Sequence, residues 1–254
     1  MTLKQQAVSG LKWTTVASII LAFINILKIA ILTRFLEKTD FGLMALVSFV
    51  IGFSNIFMDM GLGSAILHKQ DISKKEYASL YWINIIISVF LLVIIFILGK
   101  PIANFYGEYE LQNLIPLASL SIILAAVGRQ FKVVEQKFLN FRYIAIVDTG
   151  GAIGGLIISV IMAIMGYGVY ALVFGILARH TLSNFVYLIK GLLKQGMLFH
   201  FNFFETKPFL KIGVYQVGGQ MVNYFNRDID LLLIGKFFGS DVLGGYSLAK
   251  QLAQ

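Results

Sequence analysis

Residues 81–98, YWINIIISVFLLVIIFIL, form an uninterrupted stretch without a single charged side chain. A helix needs about 20 mostly apolar residues to cross the hydrocarbon core of a bilayer. Other long apolar segments precede and follow this one along the chain. The sequence therefore predicts eight membrane-spanning helices, at 12–36, 42–67, 78–98, 111–129, 143–165, 168–190, 212–237 and 242–254.

The composition agrees with a chain whose solvent is a membrane. Hydrophobic residues make up 58% of the 254 residues and charged residues 13%, whereas soluble domains average about 45–50% and about 25%. The net charge of +8 comes from basic residues spread among short loops, so no nucleic-acid partner is expected. The chain has no cysteine, and no histidine or carboxylate cluster has the spacing of metal ligands. Neither a metal nor a cofactor is expected.

One connection is long enough to divide the chain. Residues 191–211, GLLKQGMLFHFNFFETKPFLK, mix lysine with phenylalanine and fit an interfacial linker. The expected fold class is an all-α polytopic membrane protein. It would comprise a six-helix N-terminal lobe (1–190), the linker (191–211) and the first two helices of a second lobe (212–254). Because the sequence ends within the last helix, we expect a fragment of a transporter with 12–14 helices.

The basic residues also predict the orientation. Thirteen lysines and arginines fall on the side of the N-terminus, and four (Arg34, Lys38, Lys100 and Lys236) fall on the other side. Since basic loops remain in the cytoplasm, the N-terminus and the linker are predicted to be cytoplasmic.

An internal repeat relates the two ends of the chain. A shift of 202 residues aligns RFLEKTDFGLMAL (34–46) with KFFGSDVLGGYSL (236–248), so that Gly42 matches Gly244 and Leu46 matches Leu248. Six spans separate the starts of the two copies, and an even number leaves them in the same orientation. The repeat predicts two lobes related by an axis along the membrane normal, as in some transporters.

Both copies begin with a polar stripe. At 100° per residue, one face of span seven carries Gln216, Gln220, Asn223, Arg227 and Asp230. The positions 202 residues earlier, in span one, are Thr14, Ser18, Leu21, Asn25 and Lys28. A charge at the centre of a membrane helix costs about 2.5–3.5 kcal/mol, so these faces are predicted to meet water in a cavity between the lobes.

The charges of span seven also need partners within the membrane. Arg227 and Asp230, three residues apart, are predicted to neutralise each other in part. Asp228 is expected to find a partner within its own lobe. The alternative is that these charges are structural pairs that hold helices together.

The stripe supplies most of the candidate site residues. The substrate-binding candidates are Asn25, Lys28, Arg179, Gln216, Gln220, Asn223, Arg227 and Asp230. The candidates for ion coupling are Asp59, Asp148 and Asp228, of which Asp59 and Asp148 fit a structural role equally well. No catalytic residue is predicted.

The chain resembles the polysaccharide-exporter flippases of the O-antigen and capsule type. These belong to the multidrug/oligosaccharidyl-lipid/polysaccharide exporter superfamily. The similar segments are LTRFLEKTDFGLMALV (32–47), DMGLGSAIL (59–67), IANFYGE (102–108) and NRDIDLLLIGKFFGSDVLGGYSLA (226–249). The resemblance implies two six-helix lobes in a V shape, alternating access and a lipid-linked oligosaccharide on a polyprenyl diphosphate carrier. It places the basic cavity residues of that family at Lys28, Arg227 and Arg179.

The function expected from the stripe and the resemblance is that of a flippase in the bacterial inner membrane, not of an enzyme. Its partners would be the lipid-linked oligosaccharide, membrane lipids and a coupling proton or sodium ion. The first alternative is a cation-coupled multidrug-type antiporter, whose cavity would favour carboxylates such as Asp59 and Asp228. A membrane-embedded polymerase or ligase would require a large external loop, and a membrane scaffold would not require a polar stripe.

Overall fold

The computed structural model describes residues 3–59, 63, 66–67, 72–196 and 198–253, and no strand occurs among them. The helices with defined bounds are α1 (Leu3–Leu32), α2 (Lys38–Asp59), α3 (Lys74–Tyr106), α4 (Leu111–Lys137), α5 (Phe141–Ile164), α6 (Tyr170–Gln195) and α7 (Phe203–Ala253). The all-helical fold class is confirmed.

Six of these helices, α1 to α6, are long and apolar enough to cross a membrane by length and composition. They correspond to the first six predicted spans. Helix α7 covers the predicted spans seven and eight in one 51-residue element. Helix α7 is not among the six candidate spans.

Glycine and capping residues set several helix ends. Ser73 and Glu76 form a capping box that starts α3 one turn before the predicted span, and Gly107, at φ 74°, ends it. Gly239 interrupts α7 with φ 83° and ψ 174°, a conformation open essentially to glycine alone. Helix α7 therefore consists of two arms, 203–238 and 240–253, which meet where spans seven and eight were predicted to be separated.

The helices also extend into the predicted linker 191–211 from both sides. Helix α6 continues to Gln195 and α7 begins at Phe203, so the connection between the two helices is 196–202, of which the described residues are non-helical. Gly196, at φ 65°, ends α6. The side chain of Asn202 accepts a hydrogen bond from the Phe204 N–H at 3.0 Å at the start of α7. These local contacts determine where α6 ends and α7 begins, and composition alone does not predict them.

Successive helices run in opposite directions and give the bundle two ends. The end that carries connection 196–202 and the α4–α5 turn is called the linker end. The end that carries the α1–α2 and α3–α4 turns and Gly239 is called the far end. The main apolar core lies among α2, α4, α6 and α7, with Leu46, Leu114, Val173 and Leu243 almost fully buried. Exposed aromatic and aliphatic side chains such as Phe90 and Phe96 cover the outside of α3.

Small residues allow the closest helix contacts. A methyl group on Gly155 would lie 2.6 Å from the Gly175 carbonyl oxygen, so α5 and α6 pack tightly, as the small residues of 148–155 indicate. A methyl group on Gly42 of α2 would overlap the Ser240 carbonyl oxygen, and one on Gly244 of α7 would overlap the Lys38 carbonyl oxygen. Gly42 and Gly244, like Lys38 and Ser240, differ by 202 residues. This reciprocal contact is the geometry that a two-fold repeat produces.

Candidate functional site: a charged cleft lined by α1, α2, α6 and α7

An open cleft of about 340 Å³ lies between α1, α2, α6 and both arms of α7. Its polar lining residues are Asn25, Lys28, Ser48, Tyr224, Arg227, Asp228, Ser247, Lys250 and Gln251. The structure thus brings Asn25 and Lys28 of the predicted stripe on α1 to the same cavity as Arg227 of the stripe on α7.

The repeat is visible in the lining itself. Pairs of lining residues that differ by 202 are Asn25 and Arg227, Ile29 and Leu231, Ala45 and Ser247, Ser48 and Lys250, and Phe49 and Gln251. Equivalent positions of the two copies therefore face one another across the same space. The cleft lies where the two halves of the repeat meet.

Asp228 is the buried anion of the cleft, with 8% of its surface exposed. Its Oδ2 accepts hydrogen bonds from Arg227 Nη2 at 2.8 Å and Nε at 2.9 Å, and its Oδ1 lies 3.2 Å from Lys250 Nζ. A carboxylate in a low-dielectric site is tolerated when cations and hydrogen bonds compensate it. Asp228 finds both partners on α7, in agreement with the prediction of a partner within its own lobe.

Lys250 connects the two arms of α7. Its Nζ lies 2.8 Å from Asp230 Oδ1 and donates to the Arg227 carbonyl oxygen at 2.6 Å, in addition to its contact with Asp228. Asp230 also accepts a hydrogen bond from the Tyr246 hydroxyl. One ammonium group therefore joins Asp228 and Asp230 of the first arm to the second arm.

The predicted pairing of Arg227 with Asp230 is wrong. Arg227 pairs with the adjacent Asp228, while Asp230 pairs with Lys250. Helical spacing identifies only neighbours on the same arm. The break at Gly239 brings Lys250 of the second arm within 2.8 Å of Asp230.

The Arg227 guanidinium extends into the cleft. Its side chain is 62% exposed, and its Cζ lies 5.3 Å from the centre of the Tyr224 ring, whose hydroxyl donates to the Phe49 carbonyl oxygen at 2.9 Å. The Nε and Nη2 groups contact Asp228, and Nη1 contacts no described residue by hydrogen bonding. The ring and the carboxylate therefore hold a guanidinium that lines the cleft and stays largely exposed.

The structure places only some of the predicted substrate-binding residues in the cleft. Asn25, Lys28 and Arg227 line it. Gln216, Gln220, Asn223 and Asp230 do not line it. The first three of these lie on α7 closer to the linker end, and Asp230 is held by Lys250 and Tyr246.

Arg179 and Asp148 lie in a different cavity. This cavity has a volume of about 510 Å³ and lies between α4, α5 and α6. Within it, Asp148 Oδ2 pairs with Lys132 Nζ at 2.7 Å, and its Oδ1 accepts a hydrogen bond from the Tyr187 hydroxyl at 3.0 Å. The third coupling candidate, Asp59, has a side chain outside the described part of the structure.

The sequence interpretation did not include Lys250 among the candidate site residues. The repeat offers the signal that would identify it, because the equivalent position, Ser48, lies in α2 on the same cleft. Comparing spans two and eight, and not only one and seven, would have drawn attention to both residues.

Together these features define a polytopic α-helical membrane protein with ion pairs inside its bundle and a polar cleft between repeated helices. A family model described as "Polysaccharide biosynthesis protein" matches residues 31–254. The chain therefore belongs to this polysaccharide biosynthesis family, and the resemblance inferred from the motifs is confirmed.

Several curated bacterial proteins are similar to the chain over nearly its whole length. It is 27% identical over 100% of its length to the lipopolysaccharide biosynthesis protein WzxC of Escherichia coli (strain K12), and covers 51% of that protein. It is 29% identical over 99% of its length to the teichuronic acid biosynthesis protein TuaB of Bacillus subtilis (strain 168), and covers 52% of it. The succinoglycan biosynthesis transport protein ExoT of Rhizobium meliloti (strain 1021) is 25% identical over 89% of the chain, which covers 45% of ExoT.

The chain spans about half the length of the curated relatives that it matches. No solved structure matches it. The six apolar helices, the family and these relatives identify a multi-pass bacterial membrane protein of the polysaccharide biosynthesis family.

Proposed function

We propose that the chain forms the first lobe and the start of the second lobe of a flippase. The flippase would carry a lipid-linked oligosaccharide of the polyprenyl diphosphate type across the bacterial inner membrane by alternating access. Residues 1–190 would form the first lobe, and the second lobe would begin after the connection between α6 and α7. The protein would bind and move its substrate without catalysing a reaction on it.

The observation that carries this proposal is the charge of the cleft. Lys28, Arg227 and Lys250 line it together with one carboxylate, Asp228. Lys250 also pairs with Asp230 beside the lining, so three cations meet two carboxylates. One positive charge remains in excess inside a membrane protein, where charge without a counter-ion is costly. A phosphate group of the substrate would supply the missing negative charge.

Arg227 is the best-placed residue for a diphosphate. The guanidinium is a planar fork that holds two phosphate oxygens at once, and Arg227 lines the cleft with most of its side chain exposed. Lys28 would contribute a second, mobile donor from α1. Because Asp228 keeps Lys250 as a partner, a phosphate can draw Arg227 away from Asp228 without leaving that carboxylate unpaired.

The cleft favours this function over the cation-coupled antiporter. A site for organic cations needs a carboxylate whose charge is available to the substrate. Asp228 is already paired with two cations at 2.8 Å and 3.2 Å, and Asp230 is paired with Lys250. Asp148 and Asp228 remain candidates for binding a coupling proton, since a change in protonation at either would alter an ion pair.

The proposed orientation places the linker end in the cytoplasm. Thirteen of the 17 basic residues used to predict the topology fall on this side, which is the distribution that the positive-inside rule favours. The substrate head group would enter from the linker end and pass the cleft toward the far end.

Reconstitution of the full-length protein with a fluorescent lipid-linked oligosaccharide tests the proposal. Lys28→Ala and Arg227→Ala should each reduce the initial translocation rate about tenfold or more, since a hydrogen bond to a charged group contributes about 1.5–3 kcal/mol. Arg34→Ala is the matched control, because Arg34 is an exposed cation at the far end and does not line the cleft. Equal rates for Arg227→Ala and Arg34→Ala would refute the assigned role of Arg227, and absence of translocation by the wild type would refute the function.

A further inference from the structure

We propose that a separate cavity at the linker end binds an anionic phospholipid. This cavity has a volume of about 430 Å³ and lies between α3, α4 and the start of connection 196–202. It shares no lining residue with the cleft of the proposed function. The inference therefore does not depend on that function.

The wall of the cavity is apolar and aromatic. Tyr81 and Phe131 are buried, and their ring centres lie 5.7 Å apart. The polar atoms behind the wall are bonded within the protein: Gln130 Nε2 donates to the Tyr77 carbonyl oxygen at 2.8 Å, and the Tyr81 hydroxyl donates to the Val127 carbonyl oxygen at 3.4 Å. The surface that remains is suited to a hydrocarbon chain.

The mouth of the cavity is positively charged. Lys74 in the first turn of α3 and Lys194 in the last turn of α6 both line it and are exposed. Neither forms an ion pair with a described residue, and no aspartate or glutamate lines the cavity. Two ammonium groups above an apolar wall are complementary to a phosphate head group attached to an acyl chain.

The depth of the site agrees with this ligand. Lys74 and Lys194 lie at the ends of membrane-spanning helices, where phospholipid head groups are found. The aromatic wall begins one turn deeper, at the level where tyrosines are enriched in membrane proteins. The cavity lining contains no arginine, so it lacks the bidentate donors that suit a diphosphate, and a phosphodiester is the better match.

A lipid at this site would also hold the connection between α6 and α7. Leu198 lines the cavity, and its carbonyl oxygen accepts a hydrogen bond from Trp82 Nε1 of α3 at 3.2 Å. The next residue, Phe199, lies with its ring centre 5.5 Å from that of Trp82. A bound lipid would therefore stabilise the packing of this connection on α3.

Native mass spectrometry of the purified full-length protein tests the site. The probes are palmitoyl-oleoyl phosphatidylglycerol and phosphatidylcholine with the same acyl chains. The wild type should bind phosphatidylglycerol more tightly. In the double variant Lys74→Gln/Lys194→Gln this binding should weaken about thirtyfold, because each basic side chain near an anionic lipid surface contributes about 1 kcal/mol.

The control is the double variant Lys12→Gln/Lys207→Gln, which removes two exposed lysines at the same end that do not line the cavity. Equal loss of affinity in both double variants would overturn the site. Equal binding of the two phospholipids by the wild type would overturn the assigned head-group charge.

Two further experiments test the wall and the ligand. Ala78 is buried in the cavity wall, and Ala78→Phe should exclude the acyl chain and remove phosphatidylglycerol binding. Retention of that binding by a folded Ala78→Phe protein would overturn the assignment. Farnesyl diphosphate should not displace phosphatidylglycerol, and stoichiometric displacement would show that the site takes a prenyl diphosphate instead.

Discussion

The reciprocal contact between α2 and α7 makes a prediction about stability. Gly42 meets the Ser240 carbonyl oxygen, and Gly244 meets the Lys38 carbonyl oxygen. In both cases an added methyl group would meet a backbone carbonyl at the start of a helix or helix arm. A backbone carbonyl cannot rotate away as the end of a side chain can. Gly42→Ala or Gly244→Ala should therefore force the two helices apart.

The expected magnitude follows from the space at each glycine. Inserting a methyl group into a closely packed contact costs about 1–3 kcal/mol. Gly245 is the matched control, because it is adjacent to Gly244 in the same helix arm and an added methyl group there meets nothing within 4 Å. Since alanine is favoured over glycine in a helix by about 1 kcal/mol, Gly245→Ala should be neutral or stabilising.

The two substitutions should also be non-additive. Both methyl groups act on one crossing, so separation of the helices by the first reduces the cost of the second. The double variant Gly42→Ala/Gly244→Ala should be less destabilised than the sum of the single variants.

Thermal unfolding of the full-length protein in detergent measures these effects. Gly42→Ala and Gly244→Ala should each lower the Tm by several degrees relative to Gly245→Ala. If Gly244→Ala and Gly245→Ala melt at the same temperature, the close crossing of α2 and α7 is wrong. Strict additivity in the double variant would indicate two independent contacts in place of one reciprocal contact.

Two further predictions concern the charged contacts. Lys250→Met should destabilise the protein by about 2–3 kcal/mol because it removes a cation from Asp228. This is somewhat less than the loss of one partner from a fully buried pair. An unchanged Tm would contradict the ion pairs assigned to Lys250. Hydrogen bonds from Ser79 and then His200 lower the pKa of Glu205 from its usual value of 4.5. The contribution of this carboxylate to stability is therefore present above that value and is lost as the pH falls through the lowered pKa. Trp82 fluorescence, in a variant lacking the other tryptophan, should report release of the connection only when the pH falls below the usual value of 4.5, and no change at neutral pH.

The first six spans were predictable because the membrane imposes a length on apolar segments. The ends of the helices were not, because they depend on local contacts. Ser73 and Glu76 start α3 before the apolar segment begins, and α6 continues to Gln195 through residues assigned to the linker. Hydropathy gives the part of a helix inside the hydrocarbon, whereas caps and glycines decide where the helix stops.

The cleft was predictable in part for a similar reason. Periodicity predicts the face of a helix that avoids lipid, and three of the residues that it selected, Asn25, Lys28 and Arg227, line the cleft. It does not identify the neighbour that each face meets. Gln220 and Asn223 share the arc of Arg227 but do not line the cleft, because the position along the helix matters as much as the direction around it.

The two copies of the repeat are more alike in their backbone contacts than in their charged residues, and this difference affects how the cleft would bind a ligand. Where α7 carries Arg227, its equivalent in α1 is Asn25, and Ser48 in α2 is the equivalent of Lys250. Two pairs are charged in both copies: Arg34 and Lys236, which do not line the cleft, have the same charge, whereas Lys28 and Asp230 have opposite charges. Helix α7 therefore contains its own counter-ions and tolerates the absence of a ligand, whereas the cation on α1 lacks an equivalent internal carboxylate. A substrate phosphate that contacts Lys28 and Arg227 together would compensate both helices, so its binding should draw the two halves of the repeat toward each other.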